Sequence, residues 1–248
     1  MTEEVYLFVA VGFLAQMIDG AIGMAYGVTA TSVLLGMGVA PVTASACIHA
    51  AETFTTGASG LAHWRFGNVD LRLVARLAIP GAIGGAIGAY VLSSLPGDVV
   101  RPYVSAYLLA LGLLILWKAR RPRGATASAT TKPIVPLGLV GGFLDSIGGG
   151  GWGPIVTSSL LGQGAPARTT IGSVCMAEFF VTLTISLTFL ATVGLDLWPI
   201  ITGLIIGGVL AAPLAALVTK YLPERALMAI VGVVVVLLSL RGIAQALY

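Results

Sequence analysis

Hydrophobic runs separated by short polar or glycine-rich joints fill almost the whole 248-residue chain, in two sets of five. The first set covers about 5–18, 23–37, 44–62, 72–94 and 100–118, and the second about 134–147, 152–163, 169–193, 198–219 and 225–247. In each set the third, fourth and fifth runs meet or approach the roughly 20 residues that a helix needs to cross about 30 Å of hydrocarbon. The first two runs predict helices of only roughly 20 Å, at about 1.5 Å per residue. They are joined by Asp19-Gly20-Ala21-Ile22-Gly23 in one half and by Asp145-Ser146-Ile147-Gly148-Gly149-Gly150-Gly151 in the other. Such a pair makes either two short crossings or one re-entrant hairpin. A hairpin needs protein or an aqueous cavity over its irregular backbone, and the hairpin is the expectation here.

The two sets are copies. Asp19–Thr56 aligns without a gap on Asp145–Thr182, 126 positions on, and 14 of 38 positions are identical where this composition gives roughly 4 by chance. The matches include Asp19/Asp145, Gly23/Gly149, Gly27/Gly153, Thr31-Ser32/Thr157-Ser158 and Glu52/Glu178. Asp70-Leu71 matches Asp196-Leu197 further along. The expected organisation is a first transmembrane repeat over 1–118, a basic linker over 119–133 and a second repeat over 134–248. A hairpin and a pair of crossings both return to the side they left, so each half has odd parity and the second half is inverted relative to the first.

Composition fixes the class. The chain is 57% hydrophobic and 9% charged, with a mean hydropathy of +1.00, whereas soluble domains carry about 25% charged residues. An all-α, polytopic integral membrane protein is expected. The net charge of +3 does not point to nucleic acid, because the basic residues Lys118, Arg120, Arg121, Arg123 and Lys132 crowd around one linker without interleaved aromatics. They read as a topology signal that makes the linker cytoplasmic and both termini external in the cell membrane. The basic residues Arg65, Arg72, Arg168, Lys220 and Arg225 then also fall inside, while Arg101 and Arg241 do not fit. No cleavable signal peptide is evident, since Glu3-Glu4 replaces a basic n-region. His63-Trp64-Arg65 reads as an interfacial anchor. Cys47 and Cys175 lie in apolar runs, as small packing residues do, and no metal or other cofactor is implied.

The glycine-rich joints carry the first candidate chemistry. A helix that starts inside the membrane directs free N–H groups and the positive end of its dipole at whatever it faces. Helices starting near Gly23 and Gly151 therefore offer two anion sites, with Gly149, Gly150 and Gly151 admitting an oxyanion close to the backbone. Scattered glycines such as those at 81, 84, 85 and 88 read instead as helix-packing positions.

Gly12-Phe13-Leu14 to Gly27, and Gly142-Phe143-Leu144-Asp145-Ser146-Ile147-Gly148-Gly149-Gly150-Gly151, resemble the duplicated signature of the sulfite exporter TauE/SafE family. Pro166-Ala167-Arg168-Thr169-Thr170-Ile171-Gly172-Ser173 is similar to a further element of that family. The resemblance extends over nearly the whole chain. It implies a polytopic transporter of small sulfur-containing or carboxylate anions, sulfite and organosulfonates among them, and it implies export.

Other candidates follow from the residues. Glu52 and Glu178 are ionisable groups inside predicted helices, costly there and functional by default. A carboxyl held neutral by burial can donate a hydrogen bond or carry a coupled proton, with His49 a further proton-coupling or gating candidate; the structural alternative pairs Glu52 with His49 one turn earlier. Cys175 occupies the matching position in the second half. Asp19 and Asp145 precede the glycine breaks, where Asp either caps a helix, competing with a substrate for the same N–H groups, or handles the substrate or a coupled proton. Tyr26 and Trp152 either line a cavity or pack. Thr31, Thr157 and Ser158 supply hydroxyls, and Arg168 a guanidinium fork suited to a sulfonate. Gly57-Ala58-Ser59-Gly60 spells an intramembrane protease motif, but both histidines lie on the serine's own helix or at its end, and no enzyme is expected. The expected function is a secondary carrier with a site near the bilayer midplane, with an anion channel as the rival. Its expected partners are a small anionic substrate and the lipid bilayer.

Overall fold

A computed structural model describes residues 2–22, 24–120, 133–163, 165–194, 198–218 and 224–247. The protein is an all-α membrane protein, and its helices follow the hydrophobic runs closely. They are α1 (Thr2–Ile22), α2 (Tyr26–Gly36), α3 (Pro41–Arg65), α4 (Leu71–Ser94), α5 (Gly97–Arg120), α6 (Ile134–Gly148), α7 (Ser158–Gly162), α8 (Ala167–Thr192), α9 (Trp198–Val218) and α10 (Glu224–Leu247). A π-helical turn, Gly153–Thr157, leads directly into α7. Among the described residues α4, α5 and Arg168–Thr192 of α8 are long and apolar enough to cross a membrane.

One boundary differs from the sequence expectation. The first helix does not stop at residue 18 but runs through Asp19 and Gly20 to Ile22, giving 21 residues and roughly 31 Å. One carboxyl in a last turn leaves the backbone hydrogen-bond ladder intact, whereas a hydropathy profile registers it as an end. The second helix of each half stays short. With 11 residues α2 spans roughly 17 Å, about half of the hydrocarbon thickness.

Helices of one half pack on helices of the other. α1 lies along α9 and α6 along α4, while α3 pairs with α8 and α5 with α10. Small residues permit the close contacts. A Cβ on Gly12 would sit 2.8 Å from the Leu204 Cα, and one on Gly138, its counterpart 126 positions on, 2.8 Å from the Leu77 carbonyl oxygen. The glycine row of α4 has two uses. Gly84 and Gly88 admit the α6 backbone, and Gly81 and Gly85 receive Trp152 and Ile185 at 2.7 Å from a built Cβ. The outer face of α4 is apolar and open, with Ile79 64% and Tyr90 63% exposed, as a lipid-facing surface requires. Asp70 caps α4 by accepting from the Arg72 N–H at 2.9 Å; its match, Asp196, lies outside the described residues.

Candidate functional site

The two breaks meet in the middle of this packing. After α6 the chain turns through Gly149 (φ 64°) and Gly150 (φ 153°), conformations that glycine adopts without steric cost. The Asp145 carbonyl closes that turn, accepting from the Gly150 N–H at 3.1 Å. The first break instead ends on Ala25 (φ 136°), a non-glycine residue in the left-handed half of conformational space. Gly23, expected beside it, lies outside the described residues.

At both breaks the aspartate reaches seven residues forward. Asp145 Oδ1 accepts from the Trp152 N–H at 2.9 Å, and Asp19 Oδ1 accepts from the Tyr26 N–H at 3.2 Å. Each Asp thus accepts a backbone N–H of the following helix, from seven residues away and not from an adjacent position. Each sits on the preceding helix and spans the break. The helix starts are therefore already occupied by carboxylates, and the N–H groups expected to be free for an anion are partly taken. Gly27 also offers its N–H to the carboxyl of Glu52.

The breaks touch each other directly. A Cβ on Gly27 would lie 2.7 Å from the Gly150 Cα and 2.8 Å from the Gly149 carbonyl oxygen. Thr31 donates its hydroxyl hydrogen to that same Gly149 carbonyl. Glu52 is buried, and Asp145, Glu178 and Asp19 all lie within its electrostatic reach. Four acidic side chains from α1, α3, α6 and α8 thus gather where the two breaks meet.

His49 corrects another expectation. Its Nε2 lies 3.2 Å from Asp145 Oδ2, so its acidic partner is Asp145 of the second half and not Glu52 one turn on. The i, i+3 spacing fits a Glu52 pair, but Glu52 turns toward Gly27 while His49 faces the end of α6.

Trp152 is fully buried, and its indole N–H donates to the Val174 carbonyl at 3.4 Å. The Tyr26 hydroxyl donates to the Leu204 carbonyl at 3.4 Å. Both rings are thereby pinned to helices of the packing. Thr157 is buried, and Ser158 Oγ lies 3.7 Å from the Met24 sulfur. Arg168 is exposed on the first turn of α8, roughly 15 Å along the helix from Glu178, so the fold does not bring it to the acidic cluster. Ser59 shares a hydrogen bond with Cys175.

Several contributors escaped the sequence reading. Tyr107 donates from its hydroxyl to the Gly150 carbonyl at 3.3 Å, and its ring sits where side chains on Gly148 or Gly151 would be. Ser45 donates to the Ser146 carbonyl at 2.6 Å. Arg101 donates to the Leu35 carbonyl at 2.8 Å and Lys118 to the Pro154 carbonyl at 3.0 Å. By charge alone Lys118 had signalled only topology, and Arg101 had not fitted that signal.

The sulfite exporter TauE/SafE description matches residues 8–242, nearly the whole chain. The chain belongs to the sulfite exporter TauE/SafE family. Membership places it among membrane transporters of the TauE/SafE type. This TauE/SafE chain is 42% identical over 248 residues to a Bacillus subtilis (strain 168) protein named "Probable membrane transporter protein YtnM", covering 96% of this chain and 82% of the relative. It is 29% identical over 150 residues to "Probable membrane transporter protein ORF9" of Sinorhizobium sp, covering 60% of this chain and 57% of that one. A second Bacillus subtilis (strain 168) relative, "Probable membrane transporter protein YdhB", is 26% identical over 162 residues, covering 62% and 66%. No solved structure matches the TauE/SafE chain.

Proposed function

We propose that this chain is a secondary carrier of small sulfur-containing or carboxylate oxyanions, such as sulfite or an organosulfonate, whose transport is coupled to protons. The observation that carries the reading is the matched pair of aspartates on the Tyr26 and Trp152 N–H groups. Helix starts attract anions, and here the protein's own carboxylates stand where a substrate oxyanion would. A substrate gains those donors when the carboxylates withdraw, and a carboxyl releases its hold on an N–H group when it takes up a proton. Anion binding and proton loading of the acidic cluster are then linked.

The repeat supports alternating access, since inverted halves with broken helices at their interface can rock around a fixed central site. In this reading the linker at 119–133 is cytoplasmic, both termini are external in the cell membrane, and α6 with the short helix after it forms a re-entrant hairpin, whereas α1 is long enough to cross by itself. Glu52 and Glu178 carry protons, and Gly149, Gly150 and Gly151 together with Thr31 contact the substrate. Transport runs outward, as the family description implies.

The test is transport by the reconstituted protein. Sulfite, sulfate, sulfonates and short carboxylates are offered under imposed proton and sodium gradients. Saturable, proton-driven flux of a sulfur oxyanion is expected, and replacing both Glu52 and Glu178 by Gln should weaken its dependence on pH. Unsaturated currents far above carrier turnover would make the protein a channel.

A further inference from the structure

The hydrogen-bond arithmetic at His49 goes further than the acidic cluster does. Nδ1 lies 2.7 Å from the Ser45 carbonyl oxygen, which can only accept, so Nδ1 carries a hydrogen. The Ser45 hydroxyl is 3.2 Å from the same nitrogen, but its hydrogen goes to the Ser146 carbonyl at 2.6 Å. Nε2 then faces Asp145 Oδ2 at 3.2 Å. A bare nitrogen lone pair against a carboxylate oxygen at that distance repels, so one proton must lie between them, on the imidazolium or on the acid. The other oxygen of Asp145 is committed to the Trp152 N–H.

Resting on the carrier reading above, we infer that His49 and Asp145 form a one-proton site, absent from the other half, whose deprotonation breaks one of the two polar ties between α3 and the end of α6, leaving the Ser45–Ser146 hydrogen bond, and which supplies a proton coupled to transport. The contact joins α3 of the first half to α6 of the second. Loss of the proton turns an attraction into a repulsion at the residue that holds the start of the second broken helix. The matched position in the other half is Cys175, whose hydrogen bond goes to Ser59, so Asp19 has no imidazole partner at the equivalent place.

Glu52 on the histidine's own helix, Glu178 on α8 and Tyr107 on α5 lie within electrostatic reach of Asp145, and Asp19 on α1 lies within that of Glu52 and Glu178. Cys47 and Cys175 are the nearby thiols on α3 and α8. The Phe189 ring, with its centroid 6.4 Å from that of His49, covers the imidazole from α8.

The chain has only 2 histidines, so His63→Gln leaves His49 alone in the imidazole nitrogen NMR spectrum of the full-length protein. The expected spectrum keeps Nδ1 protonated throughout. Nε2 passes from proton-sharing to free as pH rises, over the same range in which pH-gradient-driven sulfite uptake changes. A neutral ring with its hydrogen on Nε2, or an Nε2 signal that does not move while uptake does, overturns the inference. Independently, His49→Gln is expected to reduce pH-gradient-driven sulfite uptake far more than sulfite–sulfite exchange, which needs no net proton movement. Equal reduction of both overturns the assignment. If the unmodified protein neither takes up nor exchanges sulfite, the carrier reading fails for that anion and the NMR titration alone decides the proton site.

Discussion

The two helix breaks share one hydrogen bond and differ in almost everything around it. The first passes from Asp19 through Ala25 into a regular helix of 11 residues. The second passes from Asp145 through four glycines into a π-helical turn, and it collects His49, Ser45, Tyr107 and Lys118 as neighbours. None of these four has an equivalent in the other half: positions 175, 171, 233 and 244 are Cys, Ile, Val and Ala. What persists is the aspartate on an N–H seven residues ahead. A duplicated segment can thus keep its capping chemistry while loading one copy with more of the polar support, including the imidazole on its aspartate.

Five substitutions test that contrast. The largest effect is expected for Gly27→Ala, where the added methyl meets the backbone of Gly150 at 2.7 Å and Glu52 Oε1 at 3.1 Å. Backbone cannot rotate away, so about 3 kcal/mol of stability and most of the sulfite flux should be lost; unaltered thermal unfolding in detergent would mean that the breaks are not apposed. Next come the two aspartates. Asp19→Ala removes a cap worth about 1 kcal/mol, whereas Asp145→Ala also orphans the buried His49 Nε2, adding about 1–3 kcal/mol. Equal losses for the two variants would erase the asymmetry between the halves.

Tyr107→Phe deletes one hydrogen bond to the second break and should cost about 1 kcal/mol, with the ring still filling its space between Gly148 and Gly151. A loss as large as that of Asp145→Ala would make the hydroxyl, and not the ring, the support of that turn. The smallest effect is a gain. Ala25→Gly relieves a strained φ and should stabilise the protein by up to about 1 kcal/mol, raising the unfolding temperature slightly. A fall would show that the methyl packing of Ala25, which is 5% exposed, outweighs its strain.

Much of the helical scaffold was legible because hydrophobic runs report burial in lipid or protein directly. The run at 72–94 became Leu71–Ser94, and that at 134–147 became Ile134–Gly148. The end of α1 was not legible, since Asp19 is polar by composition yet helical by hydrogen bonding. The repeat marked Asp19, Asp145, Glu52 and Glu178 as belonging together, and the fold does gather them. Their partners were out of reach. His49 and Asp145 are separated by 96 positions, and an internal alignment compares a residue with its copy, not with what it touches. Tyr107 and Ser45 lack copies altogether, so the signal that found the acids was silent for them. Arg168 stands apart from these: its place at an exposed helix start sets it away from the acidic cluster.

The interleaved packing has a consequence for how such a chain is made. α1 leaves the ribosome first, yet the helix it lies along, α9, begins at Trp198. At about 5–20 residues per second, α1 waits on the order of ten seconds or longer for its partner. During that wait the notch at Gly12, which later accepts the Leu204 backbone, faces lipid or another helix. Assembly of the centre is therefore a late event: neither break can be completed by its own half, and the order of synthesis obliges the membrane to hold an unfinished protein until its last third arrives.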